Sequence, residues 1–325
     1  MISMNNRDEN RFKILFIIVT WNRKDILERC LVSIAKHVRY PHRILVVDNA
    51  SSDGTAAMVR SEYPGVILIE NRENVGFSKA NNQGIAYLRE RDLRFDYVTF
   101  FNDDARFEDA SLLSLIDYMD KNEEIKAGIP SVFTGQRKLQ TGVGGYDLSI
   151  GSAFNYFFSL SILFPSQFKG FFIHQRYYRK KCIILELDWI SGVCFVMRRE
   201  MAVSLKFEEQ FFMYAEDIAL CREIRQYGKI VYYPFARIFH QMKMNSTSEG
   251  RTLWLDSLFR YYKMHNVGKN QGKLWILKWI FVIGFFGRAL GYTILSGFSR
   301  SRYSGRRKVL FSYCRYIMGS FLVRS

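Results

Sequence analysis

Past Asp256 the chain has no acidic residue, although thirteen Lys or Arg stand between Arg260 and Arg324. Cysteine is nearly as sparse. Cys30, Cys182, Cys194, Cys221 and Cys314 are scattered with no Cys-x-x-Cys pair, which argues against a zinc site or a disulfide framework and suits a reducing compartment. The first ten residues are polar and include Asp8 and Glu9, so no secretory signal peptide is expected there. Without an export signal, the glycosylation-like triplets Asn49-Ala50-Ser51 and Asn245-Ser246-Thr247 read as chance matches. Internal repeats and low-complexity linkers are also missing. At 325 residues the expected layout is one large domain with an appendage.

Basic and aromatic residues are plentiful. The net charge is +16 and aromatics make up 16% of the chain. Most of the excess charge lies in the acid-free tail, a distribution that suits nucleic acid or an anionic membrane surface. Trp275, Ile276, Leu277, Trp279, Ile280, Phe281, Val282, Ile283, Phe285 and Phe286 make the tail apolar as well as basic. That combination favours a membrane interface and sets nucleic acid aside. The stretch 279–299 is long enough to span a bilayer, but Arg288 stands near its middle and Gly284, Gly287 and Gly291 weaken a helix. We therefore expect a segment lying on the membrane. A buried helical core is the second reading and a span the third.

Along the first hundred residues, short apolar runs alternate with helical spacing. Strands are expected over 13–20, 43–47, 66–69 and 97–101, with helices over 23–37, 54–62 and 76–91. Such alternation implies an α/β fold with a parallel sheet and right-handed crossovers, in which ligands bind beyond the carboxyl ends of the strands. Thr20, Asp48, Asn71 and Asp103 fall at or just after those ends. The second half is less regular. Strand character returns over 185–197, a helix is expected over 216–227, and a strand over 229–233 ends before Pro234. The segment 154–178 holds ten aromatics in twenty-five residues and reads as a helical core element or a loop leaning on a membrane.

The step Asn102-Asp103-Asp104 follows the apolar run Tyr97–Phe101. Adjacent carboxylates at a strand end repel each other and resist desolvation. A divalent cation shared with a phosphate would remove both penalties, and Mg²⁺ or Mn²⁺ is the natural choice for oxygen ligands. A polar loop whose acids only face water is the plainer reading.

Several blocks carry a resemblance. They are Ile18-Val19-Thr20-Trp21-Asn22, 46–55 (VVDNASSDGT), Asn71 to Gly84, 101–105 (FNDDA), 188–192 (DWISG), 211–217 (FFMYAED), and His240 with Ser246 six residues on. In this order, over 14–246, they resemble family 2 glycosyltransferases, especially the rhamnosyltransferase-like members of bacterial surface polysaccharide synthesis. The resemblance implies a Rossmann-like GT-A nucleotide-diphospho-sugar transferase domain with a mainly parallel central sheet, over 11–250. A C-terminal helical, basic, membrane-associating segment would occupy 251–325. It further implies an inverting transferase that uses a dTDP- or UDP-sugar donor and Mg²⁺ or Mn²⁺. The sugar would be rhamnose, with galactofuranose or a common hexose as alternatives.

Site roles follow from the same resemblance. Asp104 matches the metal Asp of the family. Asp103 stands where Pro is common and is assigned to the ribose or to a second metal contact, beside Asn102. Asp48 would meet the nucleotide base, or simply form a turn, and Asp53 would cap the helix that opens at Gly54. Thr20, Asn22, Asn71, Gly76 and Asn81 would line the nucleotide pocket. Asp217 would be the general base with Glu216 in support, although two acids opening a helix also suit its dipole. The position two residues on, acidic in many relatives, is Ala219 here. His240 matches a third metal or diphosphate contact. Trp189 would stack on the acceptor sugar or fill the core. The acceptor would be a saccharide, lipid-linked, with the enzyme on the cytoplasmic face of the cell membrane. A non-catalytic nucleotide-sugar binder is the rival from another class.

Overall fold

The computed structural model describes residues 11–91, 93–134, 137–241, 248–267, 271–296 and 300–322. Ser246 and the triplet around it lie outside the described residues. The chain divides into two compact units. One takes the chain up to Gly145 and resumes at Gln175 through the last strand; the other joins Tyr146–His174 to the C-terminal helices.

In chain order the elements are β1 (Arg11–Thr20), α1 (Lys24–His37), β2 (His42–Asp48), α2 (Thr55–Glu62), β3 (Ile67–Glu70), α3 (Phe77–Glu90), β4 (Arg94–Phe101), β5 (Ala105–Arg106), α4 (Leu112–Asp120), β6 (Ile125–Thr134) and β7 (Gly144–Gly145). Next come α5 (Ile150–Phe157), α6 (Leu160–Leu163), α7 (Gln175–Lys180), β8 (Leu185–Leu187), β9 (Trp189–Ile190), β10 (Cys194–Arg198), α8 (Arg199–Ser204), α9 (Glu216–Ile224) and β11 (Lys229–His240). The last are α10 (Ser248–Tyr262), a π-helical turn at Lys263–Val267, α11 (Gln271–Ser296) and α12 (Arg300–Leu322).

The first unit is built on a mixed sheet ordered β3-β2-β1-β4-β10-β6-β11-β5, with β8 also on β11. Strands β3, β2, β1 and β4 run parallel. Their apolar runs are continuous because helices cover both faces; Ile14, Phe16, Ile17 and Ile18 are fully buried. Helix α1 buries Leu27, Leu31 and Ile34, the stripe that its 3.6-residue period brings together. Register sets the rim: Thr20 pairs with Asp48, and Asp48 with Glu70, so the polar residues that follow emerge side by side. Strand β10 inserts antiparallel between β4 and β6, and Cys194 pairs with Phe101. The residues before β10 therefore meet those after β4.

Two expectations change, and one strand was not expected. The run 185–197 is not one strand but β8, β9 and β10, broken at Asp188 and at the Ser191–Val193 turn. Strand β11 does not stop before Pro234; it continues to His240 through a register shift between Tyr233 and Arg237, where an irregularity tolerates the missing N–H. Strand β6, with Gly128 and Pro130 inside it, sits within the sheet between β10 and β11, although that composition reads poorly as a strand.

In the second unit α11 runs unbroken through Gly284, Gly287 and Gly291. Gly284 is a packing site: a Cβ there would lie 2.1 Å from the Phe157 ring. Phe157 stacks edge-on against Phe281 and Phe285. Arg288 donates to the Tyr156 carbonyl at 2.8 Å and lies over the Tyr156 ring, so its charge is satisfied within the unit. Helix α12 pairs with α11; Lys278 Nζ reaches Ser320 Oγ at 2.9 Å, and the Trp279 and Phe321 rings stack. The opposite side of α11 stays open. Ile276, Ile283, Leu290 and Ile294 are exposed there.

Candidate active site

The carboxyl rim of the first unit gathers most of the expected residues. The acidic step lies in the turn after β4, and Asp103 and Asp104 are buried, at 6% and 9% exposure. Each carboxylate oxygen of the pair is engaged. Thr20 Oγ1 donates to Asp103 Oδ2 at 2.8 Å. A single guanidinium nitrogen, Arg23 Nη1, reaches Asp103 Oδ1 at 3.0 Å and Asp104 Oδ2 at 3.1 Å. His240 Nε2 lies 2.8 Å from Asp104 Oδ1. Burial pushes Asp103 up to about 6 despite the Arg23 charge. Burial also acts on Asp104, but the hydrogen bond and charge of His240, with Arg23, outweigh it and hold this carboxyl below its usual range.

His240 stands at the end of β11, paired with Ala105, so the sheet itself delivers it to the acidic step. Its other nitrogen, Nδ1, lies 2.8 Å from Gln140 Oε1. Gln140 is fixed in turn, because its carbonyl accepts from Gln175 Nε2. With Nδ1 against that amide, the Nε2 edge of the ring faces Asp104. An imidazole nitrogen and a carboxylate oxygen facing each other are both groups that ligate a divalent ion. Asp104 and His240 therefore fit a divalent ion. Among the described residues no three His, Cys, Asp or Glu side chains form a complete cage. An incomplete protein set is usual for ions that share their shell with substrate phosphates. Asn102 backs this corner, its Nδ2 lying 3.4 Å from His240 Nε2.

The second acidic pair opens α9. Glu216 is buried and Asp217 half-buried. Asp217 Oδ2 accepts from Gly192 N at 3.2 Å and Oδ1 from Ile218 N at 2.9 Å. No cationic side chain is among these bonds. Glu216 Oε2 is buried with no hydrogen-bond partner. Burial raises both acids above the ordinary range, Glu216 most because Asp217 adds its charge. Just before them, Tyr214 and Ala215 both adopt positive φ, at 70° and 65°, a strained approach for residues with a Cβ. The two acidic pairs share a junction: Asn102 N donates to Val193 O at 3.1 Å, and the neighbouring Gly192 donates to Asp217.

The other expected residues divide in character. Asp48 accepts from both the N–H and the hydroxyl of Ser51, so its carboxylate shapes the turn that follows β2. Asn22 Oδ1 accepts from Ser52 N at 2.7 Å and ties that turn to the end of β1. Asp53 accepts from Lys24 N and Thr55 N and so holds the starts of α1 and α2. Asn71 is committed to an amide cluster with Asn49 and Gln83. Gly76, at φ 84°, is a close-approach glycine, since a Cβ would meet Phe212 O at 2.7 Å. Asn81 donates to Phe77 O, while its Oδ1 is buried without a partner. Trp189 is 3% exposed in β9 and presents almost no face to a ligand. Trp21, Phe212 and Tyr214 are the exposed aromatics in the rim and α9 segments. Arg23 and Gln140 were not foreseen. Their partners are about 80 and 100 residues away, and nothing local in the sequence signals them.

The mixed sheet, the strand-end acids and a further acid pair across the junction define a glycosyltransferase of the GT-A fold. The sequence profile of glycosyl transferase family 2 matches residues 15–202, and the chain belongs to that family. It is similar to the N-acetylglucosaminyl-diphospho-decaprenol L-rhamnosyltransferase of Mycobacterium tuberculosis, with 28% identity over 247 residues, covering 71% of this chain and 76% of that one. It is also similar to the rhamnosyltransferase WbbL of Escherichia coli K12, with 26% identity over 267 residues, 79% of this chain and 96% of that one. Among solved structures, the mannosyltransferase PcManGT of Pyrobaculum calidifontis, in complex with GDP-Man and Mn²⁺, superposes with a TM-score of 0.57 at 16% identity, over 95% of this chain and 87% of that one. GalNAc-T7 with UDP, GalNAc and Mn²⁺ gives 0.54 at 15% identity; the match covers 77% of this chain but only 48% of GalNAc-T7.

Proposed function

We propose that this glycosyltransferase moves rhamnose, with inversion, from a dTDP- or UDP-linked donor to a saccharide carried on a lipid diphosphate. The observation that carries this reading is the junction at Gly192-Val193, which joins Asp103-Asp104 with His240 on one side to Glu216-Asp217 on the other. Asp104 and His240 would hold Mg²⁺ or Mn²⁺, with Asp103 nearer the ribose. A divalent ion bound there acts as a Lewis acid on the departing diphosphate. Thr20, Asn22, Asp48, Asn71, Gly76, Asn81 and Asn102 shape the nucleotide wall, several of them by holding its turns. Asp217 accepts the proton of the acceptor hydroxyl as it attacks the anomeric carbon. A carboxylate without a cation partner is suited to that task, because its basicity is raised rather than spent. Glu216 keeps the pair basic. Trp189 supports the acceptor side from within the core rather than by stacking.

Rhamnose is favoured by the names of both curated relatives, and a lipid-linked acceptor by that of the Mycobacterium tuberculosis enzyme. A membrane location is favoured by α11, whose open apolar side accompanies an acid-free, basic tail. Its length and mean hydropathy of 1.5 would also allow a span, but the inner side of the helix is covered by α5 and α12, so we place it flat in the cytoplasmic interface of the cell membrane. The test is transfer to a polyprenyl-diphosphate saccharide across a panel of dTDP-, UDP- and GDP-sugars. Rhamnose should outpace the others; a preference for galactofuranose or a hexose would replace the sugar and leave the fold argument intact. Flotation with anionic liposomes should recover the wild-type protein and lose the Ile276→Glu/Ile283→Glu variant. Retention on DNA instead of liposomes would overturn the membrane reading.

A further inference from the structure

Arg23 occupies an unusual place. One nitrogen, Nη1, bridges both members of the buried acidic step, and the side chain is still one-third exposed. The remaining oxygens of the pair are taken by Thr20 and His240, so Arg23 closes the last open positions on Asp103 Oδ1 and Asp104 Oδ2. Its backbone stands at the start of α1, where the Arg23 carbonyl accepts from Leu27 N at 2.9 Å. The anchor is fixed, and the long side chain can swing about it. A divalent ion on Asp104 and the Arg23 guanidinium would be like charges competing for one carboxylate, and each would destabilise the other strongly where water is scarce.

We propose that Arg23 is a built-in counter-ion that fills the acidic step before loading and leaves Asp104 for the donor's diphosphate when donor and metal bind together. The inference rests on the reading that Asp104 and His240 take a divalent ion. Its consequence is coupling. Metal alone has to expel a cation into water, whereas metal with a nucleotide diphosphate supplies the displaced guanidinium with new phosphate oxygens. Nucleotide and metal should therefore raise each other's affinity by the same factor, as linkage requires. An Arg at this place also keeps the adjacent acids from opening the turn while the site is empty, a task that a neutral residue could not perform.

The experiment is Mn²⁺ binding to the full chain by electron paramagnetic resonance, with and without dTDP or UDP. Wild type should bind Mn²⁺ weakly alone and at least about tenfold more tightly with the nucleotide. Arg23→Met should bind Mn²⁺ alone about tenfold more tightly than wild type and lose most of the nucleotide enhancement; Arg23→Lys should keep part of it. If Arg23→Met does not fold, Arg23→Gln, which keeps a hydrogen-bond donor for the two acids without the charge, carries the same expectation. Unchanged Mn²⁺ affinity and unchanged enhancement in the folded variant would overturn the counter-ion role while leaving the metal reading in place. Absence of Mn²⁺ binding in all of these proteins, with either nucleotide present, would overturn the metal reading itself.

Discussion

The two acidic steps of the sheet domain differ in their partners. Asp103-Asp104 is surrounded by cationic and hydroxyl partners; the Asp104 carboxyl lies below its usual range, while burial pushes Asp103 up to about 6. Glu216-Asp217 has only backbone N–H groups on Asp217 and an unpartnered oxygen on Glu216, and both carboxyls lie above theirs. Two pairs of like composition thus meet different surroundings. The compensated pair is a place for positive charge, which suits the proposed cation site. The uncompensated pair lacks a cation partner, which suits the proposed general base. The difference does not lie in the dipeptides. It comes from which strand ends and turns the fold brings to each.

Breaking the uncompensated pair should have the largest effect. Asp217→Asn removes the proposed base and should lower kcat by about 10³-fold or more, within the range of general-base contributions. Initial rates of sugar transfer check this, and transfer near the wild-type rate would move the base elsewhere. Next comes the compensated pair. Chelation with EDTA, or Asp104→Asn, should lower transfer by roughly 10²-fold, and added Mn²⁺ should restore only the chelated wild type. Gln140→Leu leaves both acids in place and frees the His240 ring. It should weaken Mn²⁺ binding by about 10–100-fold, the usual cost of losing a partner behind a ligand, without altering the apparent pKa of transfer.

The smallest effect sharpens the contrast in stability. Glu216 binds its proton more tightly folded than unfolded, so its contribution falls as pH rises from the ordinary carboxylate range through the raised folded value. Glu216→Gln removes that penalty. The variant should be more stable than wild type at pH 8, with the gap closing as pH falls toward the ordinary carboxylate range. Thermal melts across pH measure this. A variant less stable than wild type at pH 8 would show that Glu216 has a favourable partner there.

The legible parts of the sequence were those with local signals. Strands β1 to β4 announced themselves as apolar runs, and Thr20, Asp48, Asn71 and Asp103 as the polar residues that end them. Strand β6 did not, because Gly128 and Pro130 interrupt its pattern and only pairing with β10 and β11 makes it a strand. The run 185–197 looked continuous because period alone cannot show where a chain leaves one sheet for another; β9 pairs with β7 instead. Arg23 and Gln140 were invisible for a different reason. A lone polar residue acquires its role from partners that only the fold supplies, here Asp103 and His240. Of the two readings of Trp189, acceptor stacking or core, its burial in β9 fits the core.

Donor binding separates the two acidic steps most directly. Calorimetric titration of dTDP or UDP in the presence of Mn²⁺ should give near wild-type affinity for Asp217→Asn and a loss of at least about tenfold for Asp104→Asn. Equal loss in both variants, or loss in Asp217→Asn alone, would contradict the division of labour between a cation site and a base.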